Sequence, residues 1–216
     1  MKQIQAKHRF LALSLVAVLL LSFLISCSKK GDRFGTDEQG RTMNEKTGVV
    51  YQIAPDCYAP IQVEEDVYGS SASNVYHAIV GADPTDWLYG ELGMLLYAED
   101  VVLPSLNQMK IDRIGVYDSS DSRLGELTDT AVIENAVSGY LEGENHPYSG
   151  LISPLAHYTL RFEDSSLGIC YVVNYLEYAG ESEEERVFYL YCRSAQRFVP
   201  VSDSLRNAVE SVIGAE

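Results

Sequence analysis

Short apolar runs, rich in Tyr, Val, Leu and Phe, recur along the chain from about residue 49 and are separated by polar turns. This composition is typical of β-strands, because β-branched and aromatic side chains suit a pleated, half-buried surface. The pattern predicts strands at 49–53, 58–63, 75–80, 94–98, 111–117, 157–163, 168–178, 186–193 and 198–201. The three runs between 157 and 193 carry the strongest strand signal.

Two segments show the three- and four-residue spacing of an amphipathic helix instead. One covers 129–142, with Thr128 or Asp129 as a cap, and the other covers 203–213. A third, shorter helix is predicted to begin at Asp83-Pro84, since Asp suits the N-cap and Pro the first helical position. Together these elements predict an α+β fold, a mainly antiparallel sheet with two or three helices packed on one face.

The acidic tract 180–185 lies between two of the strongest predicted strands and is typical of a solvated hairpin tip. If the hairpin turns at residue 181, Cys170 lies opposite Cys192, at a separation that a disulfide can bridge. We therefore expect a Cys170–Cys192 disulfide, with two buried thiols as the alternative. Cys57 would then be a free, buried thiol or would pair elsewhere.

Tyrosine is unusually frequent, with 15 residues, all from Tyr51 onward. The same hairpin register predicts that Tyr171, Tyr189 and Tyr191 share one face of the sheet. An exposed face of this kind would bind a protein or a glycan, because tyrosine supplies contact area at a low entropy cost. The alternative is that the helices cover these rings and make them part of the core.

The first 27 residues carry a different pattern. Lys2, Lys7 and Arg9 precede an uncharged, mostly apolar run at 10–25, which ends in Leu-Ile-Ser-Cys at 24–27. The run is shorter than the ~20 residues that span a bilayer, and a positive flank before a short apolar run is typical of a secretory leader.

This leader resembles a bacterial lipoprotein signal peptide with its lipobox. The resemblance implies a signal peptide at 1–26, transfer of diacylglyceryl to the sulfur of Cys27 and cleavage after Ser26. An anchored protein with its domain on the extracytoplasmic side would follow, with membrane lipid as its first partner. An ordinary signal peptide and an uncleaved anchor helix are the alternatives.

The chain after the leader divides into two parts. Residues 27–47 have a polar, glycine-containing composition that predicts a lipidated cysteine followed by a flexible tether. Residues 48–216 are long enough to bury one core, and we expect a single extracytoplasmic α+β domain. Its family is not recognised from its residues.

The charge of the chain restricts its partners. The net charge is −15 overall, and from Gly48 onward 8 basic residues stand against 27 acidic ones, a net of −19. A protein that binds nucleic acid through a basic face is therefore not expected. An acidic body is also repelled by anionic bilayers and polymers.

Candidate chemistry in the body is sparse. His77, His146 and His157 form no zinc pattern, and the Gly-x-Ser-x-Gly, P-loop and dinucleotide-binding motifs are missing from the sequence. We therefore assign no catalytic residue, metal ligand or cofactor. The sequence favours a non-enzymatic cell-envelope lipoprotein that serves as a binding or accessory module for an envelope protein or a glycan.

Two other functions remain open from the sequence. One is a small envelope hydrolase that uses a Cys or Ser nucleophile with a histidine, such as Cys57 with His77 or His157. The other is the solute-binding lipoprotein of a transporter, although its usual two lobes need more chain than 190 residues. The first would require a cleft that brings the nucleophile and a histidine together.

Overall fold

The structure is a computed structural model that describes residues 31–147, 153–180 and 185–214. Strands make up 45% of it and helical segments 15%. In chain order the strands are β1 (Asp32–Thr36), β2 (Thr42–Asn44), β3 (Val50–Ile53), β4 (Tyr58–Pro60), β5 (Val63–Ser70), β6 (Val75–Ile79), β7 (Trp87–Gly90), β8 (Met94–Ala98), β9 (Arg113–Tyr117), β10 (Arg123–Leu127), β11 (Ala156–Asp164), β12 (Ile169–Ala179), β13 (Arg186–Cys192) and β14 (Arg197–Pro200). The helices are α1 (Thr130–Glu142) and α2 (Asp203–Ile213), and Leu106–Gln108 forms a 3₁₀ turn. The leader, Cys27 and most of the predicted hairpin tip, 181–184, lie outside the described residues.

Seven strands close into a small barrel in the order β1-β2-β3-β8-β7-β6-β5. The closing seam is the parallel pairing of β1 with β5, where Asp32 faces Gly69. A Cβ at Gly69 would lie 2.4 Å from the ring of Phe34 and from the Asp32 carbonyl oxygen, so only glycine allows this approach. The ring of Phe34 packs at a tilt against that of Tyr76 inside the barrel, with ring centroids 4.5 Å apart.

The second sheet has the order β10-β9-β11-β12-β13-β14 and carries both helices on one face. Asp129 caps α1 by accepting bonds from the backbone N–H groups of Ala131 and Val132, at 2.8 and 3.2 Å. The Ser202 hydroxyl caps α2 in the same way. The two longer helices predicted from the spacing of apolar residues are therefore confirmed.

The strand β4 connects the two sheets. It leaves the barrel between β3 and β5 and pairs antiparallel with β12 of the second sheet. Apolar side chains of the barrel, including Ile79, Trp87 and Leu95, belong to the same core cluster as Phe162 and Tyr171 of the second sheet. The barrel and the second sheet are thus packed against each other and share a core.

The predicted α+β fold class is wrong. The protein is mostly β, with a closed seven-stranded barrel beside a second sheet and with only two α-helices among the described residues. The barrel was missed because several of its strands do not have apolar patterns. The strand β5, for example, contains Glu64, Glu65 and Asp66 in succession, and all three side chains are exposed.

The short helix predicted at Asp83 is also wrong, since this residue caps a turn. Its carboxylate accepts a bond from the Thr85 backbone N–H at 2.8 Å, and its carbonyl accepts one from Trp87. Trp87 then begins β7 and is buried. An Asp-Pro pair favours a turn and a helix start equally well, and here the next residues continue as a strand.

Part of the segment predicted as a flexible tether, 27–47, is instead barrel structure. Asp32–Thr36 and Thr42–Asn44 are strands, and Phe34 is only 3% exposed. The composition was misleading because one buried aromatic ring is enough to anchor a short barrel strand. The side chain of Asn44 adds to this order by accepting bonds from two backbone N–H groups and donating to Asp32.

The predicted Cys170–Cys192 disulfide is wrong as well, because the hairpin register differs by three residues. Tyr175 faces Leu190, so opposed residues sum to 365 instead of 362. A shift by an odd number moves a side chain to the other face, and Cys170 and Cys192 therefore lie on opposite faces of the sheet. A turn at residue 181 would place Glu177 opposite Glu185, which is a like-charge pair. The observed register avoids this pair, and the Glu177 carboxylate lies 3.1 Å from Arg186 instead.

Candidate functional site

An open cleft of about 650 Å³ lies where the barrel meets the second sheet, and we call it the inter-sheet cleft. The end of β3, the β7–β8 turn and the start of β5 form its barrel wall, β4 lies along it, and β11 and β12 form the opposite wall. Most of the residues that line it are apolar, but polar and apolar atoms contribute nearly equal shares of its surface. Its charged and hydroxyl-bearing side chains include Asp56, Asp121, Thr159 and Arg161.

Arg161 is the cationic group of the inter-sheet cleft. It lies on β11 opposite Val172, and its guanidinium carbon stands 4.2 Å from the centre of the Tyr117 ring. One Nη donates to Asp121 Oδ1 at 2.5 Å, while the buried Nε has no hydrogen-bond partner among the described residues. Stacking on the ring holds the planar cation in place and leaves further N–H donors for an acceptor.

Below Arg161 the same face of the sheet holds a buried carboxylate. The side chain of Glu163 is 2% exposed and lies 3.5 Å from Arg123 and 3.8 Å from Arg113. Burial raises the pKa of Glu163, and the two arginines oppose that shift. Gly115 makes room for the carboxylate, since a Cβ there would lie 2.7 Å from its oxygen.

Farther from the inter-sheet cleft, the face of the second sheet that carries Arg161 also carries a hydrogen-bonded pair of polar side chains. His157 Nε2 lies 2.7 Å from Asn174 Oδ1, and the Asn174 amide donates to the carbonyl of Tyr191 at 3.3 Å. The amide is thereby held in one orientation, which fixes His157 as well. Arg161, Thr159 and this pair form a row of hydrogen-bonding side chains on the face of the second sheet opposite the helices.

The predicted tyrosine face is only partly present. Tyr189 and Tyr191 lie on the helix-free face, where Tyr189 stacks on Phe198 with centroids 4.2 Å apart. Tyr171 instead points into the main core and is 7% exposed. The three-residue register shift explains the error, and it brings Tyr178 into the aromatic group in place of Tyr171.

The hydrolase alternative requires a nucleophile beside a histidine, and no such pair occurs in the described residues. His77 contacts the Glu64 carbonyl and lies 3.6 Å from Glu91, His157 contacts Asn174, and the His146 ring packs against an aromatic side chain. In the described part of the chain, the hydrogen bonds made by histidine rings go to the Glu64 carbonyl and to the Asn174 side chain, and none goes to a cysteine or a serine. Burial also raises the pKa of the Cys170 thiol to about 12, which keeps it protonated.

Sequence reasoning missed Arg161, although a weak signal for it exists. It is one of only 8 basic residues after position 48, and it occupies a polar position in the alternating strand at 157–163. The pattern showed which face it occupies but not that the barrel would form a wall beside it. Among the described residues, no cluster of three or more His, Cys, Asp or Glu side chains could hold a metal ion.

The comparisons with known proteins give no relative from which a function could be transferred. No protein-family model, curated protein or solved structure matches this chain. Within the portion of the chain that the structure describes, none of the helices has the length and apolar character needed to cross a membrane.

Proposed function

We propose that this chain is a lipid-anchored protein of the cell envelope whose extracytoplasmic domain binds an envelope protein or a glycan in the inter-sheet cleft. The observation that carries the binding role is the cleft itself. Its volume of about 650 Å³ lies within the range of ligand sites, roughly 300 to 1,000 Å³. Apolar residues with a few fixed polar groups, such as Arg161 paired with Asp121, also line such sites.

The charge of the cleft indicates the kind of group it accepts. Arg161 is paired with Asp121, and the surrounding body is strongly acidic, so a highly anionic ligand would be repelled. A neutral polar group that offers a carbonyl or hydroxyl acceptor to the guanidinium fits better. Amides of a polypeptide and hydroxyl groups of a glycan both provide such acceptors.

Membrane anchoring is supported by the leader. The positive segment, the apolar run 10–25 and Cys27 follow one another at the distances typical of a lipoprotein signal. Cys27→Ala is expected to release the protein from the membrane fraction or to leave an unprocessed precursor. The measurement is fractionation of cells followed by mass determination. Unchanged processing and unchanged membrane retention would contradict the anchoring proposal.

The binding role is tested with two matched surface substitutions. Ile53 is 61% exposed and lines the cleft, whereas Val102 is 85% exposed and lies outside it. The immobilised chain is exposed to solubilised envelope, and bound proteins are identified by mass spectrometry. We expect the wild type and Val102→Asp to retain a partner that Ile53→Asp loses, because a carboxylate on the apolar rim disrupts contact.

Equal capture by all three chains would contradict the assignment of the cleft. The same three chains are then compared with fragments of envelope glycan, so that both proposed partner classes are covered. Loss of binding only in Ile53→Asp would place the glycan in the cleft. Failure of both arms would refute the binding role of the cleft while leaving the anchoring test unaffected.

A further inference from the structure

Two short strands share one edge of β12 and meet end to end. One edge of β12 is occupied by β11, which pairs along its length. The other edge is occupied first by β4, over Ile169–Tyr171, and then by β13, over Asn174–Ala179. Both run antiparallel to β12, so the start of β4 points toward the end of β13.

A cysteine stands at each side of this junction. Cys57 directly precedes β4, and its carbonyl accepts a bond from the Val172 backbone N–H at 2.7 Å. Cys192 is the last residue of β13, where the register continued by one residue lies beside Val173. The two cysteines therefore occupy neighbouring positions along one strand edge, which is compatible with the Cα separation of about 4.4 to 6.8 Å in disulfides.

The side chains of the two cysteines also meet. Both residues belong to the main core cluster, at 6% and 2% exposure, and each thiol shifts the pKa of the other. The third cysteine is excluded by the same geometry. Cys170 lies on the opposite face, where its sulfur stands 3.4 Å from the Ala59 carbonyl oxygen.

Polar groups around Cys192 favour its reaction as a thiolate. The Tyr171 hydroxyl lies 3.9 Å from its sulfur and the Ser194 hydroxyl lies 3.4 Å away. The hydrogen bond from Cys57, followed by that from Ser194, lowers the pKa of Cys192 against the opposing effect of burial. The pKa of the partner thiol, Cys57, is raised by the interaction with Cys192 and by burial.

We propose that Cys57 and Cys192 form a disulfide between the start of β4, the strand that connects the two sheets, and the end of β13. The oxidant is a small-molecule or protein disulfide. The Cys192 thiolate attacks one sulfur of the oxidant and releases the other as a thiolate, which leaves a mixed disulfide. The Cys57 thiol then loses its proton and attacks the Cys192 sulfur, which releases the second thiol of the oxidant. The pair loses two electrons and two protons, and the oxidant is reduced to two thiols.

The test makes access to the buried pair irrelevant by forming the bond during folding. The full chain is unfolded under reducing conditions and refolded in detergent with reduced and oxidised glutathione. Remaining thiols are alkylated after an acid quench, and the unreduced digest is mapped by mass spectrometry. We expect a linked peptide pair containing Cys57 and Cys192, loss of alkylation at both, and full alkylation of Cys170.

Two variants keep the result interpretable. Cys170→Ala should retain the Cys57–Cys192 link, whereas Cys57→Ala should leave Cys192 alkylated or bound to glutathione. A link that involves Cys170, or full alkylation of all three thiols in refolded protein, would overturn the proposal. The outcome does not depend on the cleft or on acylation of Cys27, so it stands or falls independently of the proposed function.

Discussion

Two equally buried tyrosines differ in whether the side-chain hydroxyl makes a hydrogen bond. Tyr175 and Tyr51 are each 1% exposed. The Tyr51 hydroxyl donates to the Pro84 carbonyl at 2.9 Å, whereas that of Tyr175 has no hydrogen-bond partner among the described residues. Replacing each by phenylalanine removes a single oxygen, so the pair measures what a buried hydroxyl contributes with and without a partner.

The two substitutions should change stability in opposite directions. A satisfied hydrogen bond contributes about 1 kcal/mol net, and a buried polar group without a partner costs ~1–3 kcal/mol. Tyr51→Phe is therefore expected to lower the free energy of unfolding by about 1 kcal/mol, because the Pro84 carbonyl loses its donor. Tyr175→Phe is expected to raise the free energy of unfolding by about 1 kcal/mol, because it removes a buried hydroxyl that has no partner among the described residues. The contact of the ring with Phe188 is retained.

Equilibrium unfolding in urea measures both effects. The only tryptophan, Trp87, is buried in the shared core, so its fluorescence reports loss of that core. Linear extrapolation then gives the free energy of unfolding for each chain, and equal slopes show that the comparison is valid. If Tyr175→Phe is destabilised as much as Tyr51→Phe, the Tyr175 hydroxyl is satisfied and the reasoning is refuted.

Three further predictions concern the closing seam, the buried charge and the cysteine pair. Gly69→Ala should destabilise the protein by ~2 kcal/mol, because its Cβ would meet the backbone of β1 at the closing seam. Gly139→Ala should stabilise it by ~1 kcal/mol, because a Cβ there on α1 lies in open space. Thermal unfolding measures both changes, and equal shifts would contradict the close approach of β1 and β5 at Gly69. The raised pKa of Glu163 means that its stabilising contribution is present below pH 4.5 and is lost as pH rises through the folded-state pKa. Glu163→Gln should therefore gain stability relative to wild type between pH 4 and 7 in urea titrations, and a pH-independent difference would count against this sign. Oxidation of Cys57 with Cys192 closes a loop of 136 residues, which should raise the free energy of unfolding by roughly 3–5 kcal/mol over the reduced chain; no change on reduction would contradict this magnitude.

The sequence predicted elements best where one periodicity persisted over several turns or residues. The apolar stripe at 129–142, with a cap expected at Thr128 or Asp129, identified α1, and the tyrosine- and valine-rich runs identified β12 and β13. These elements face a core on one side or both, so burial is visible in their composition. Strands such as β5, whose exposed side chains are acidic, leave no such pattern.

The site could not be predicted because it depends on register and on contacts between distant segments. A three-residue difference in one hairpin separates Cys170 from Cys192 and Tyr171 from Tyr189. The sequence Glu-Ser-Glu-Glu at 181–184 gives no turn signal strong enough to choose between these registers. Arg161 becomes part of a cleft only because β4 crosses from the barrel, which no local pattern indicates.

The position of the first strand has a mechanical consequence for an acylated chain. β1 begins at Asp32, so only residues 28–31 separate the barrel from Cys27. Even if fully extended, this segment spans no more than ~17 Å from Cys27 to Asp32. This is about twice the screening length of about 8 to 10 Å in physiological salt, so the headgroup charge is largely screened from the barrel at full extension and acts on it at shorter separations. Repulsion would push the barrel of an acylated chain away from the bilayer, while the length of residues 28–31 limits the separation. A partner would therefore have to come close to the membrane surface to be bound.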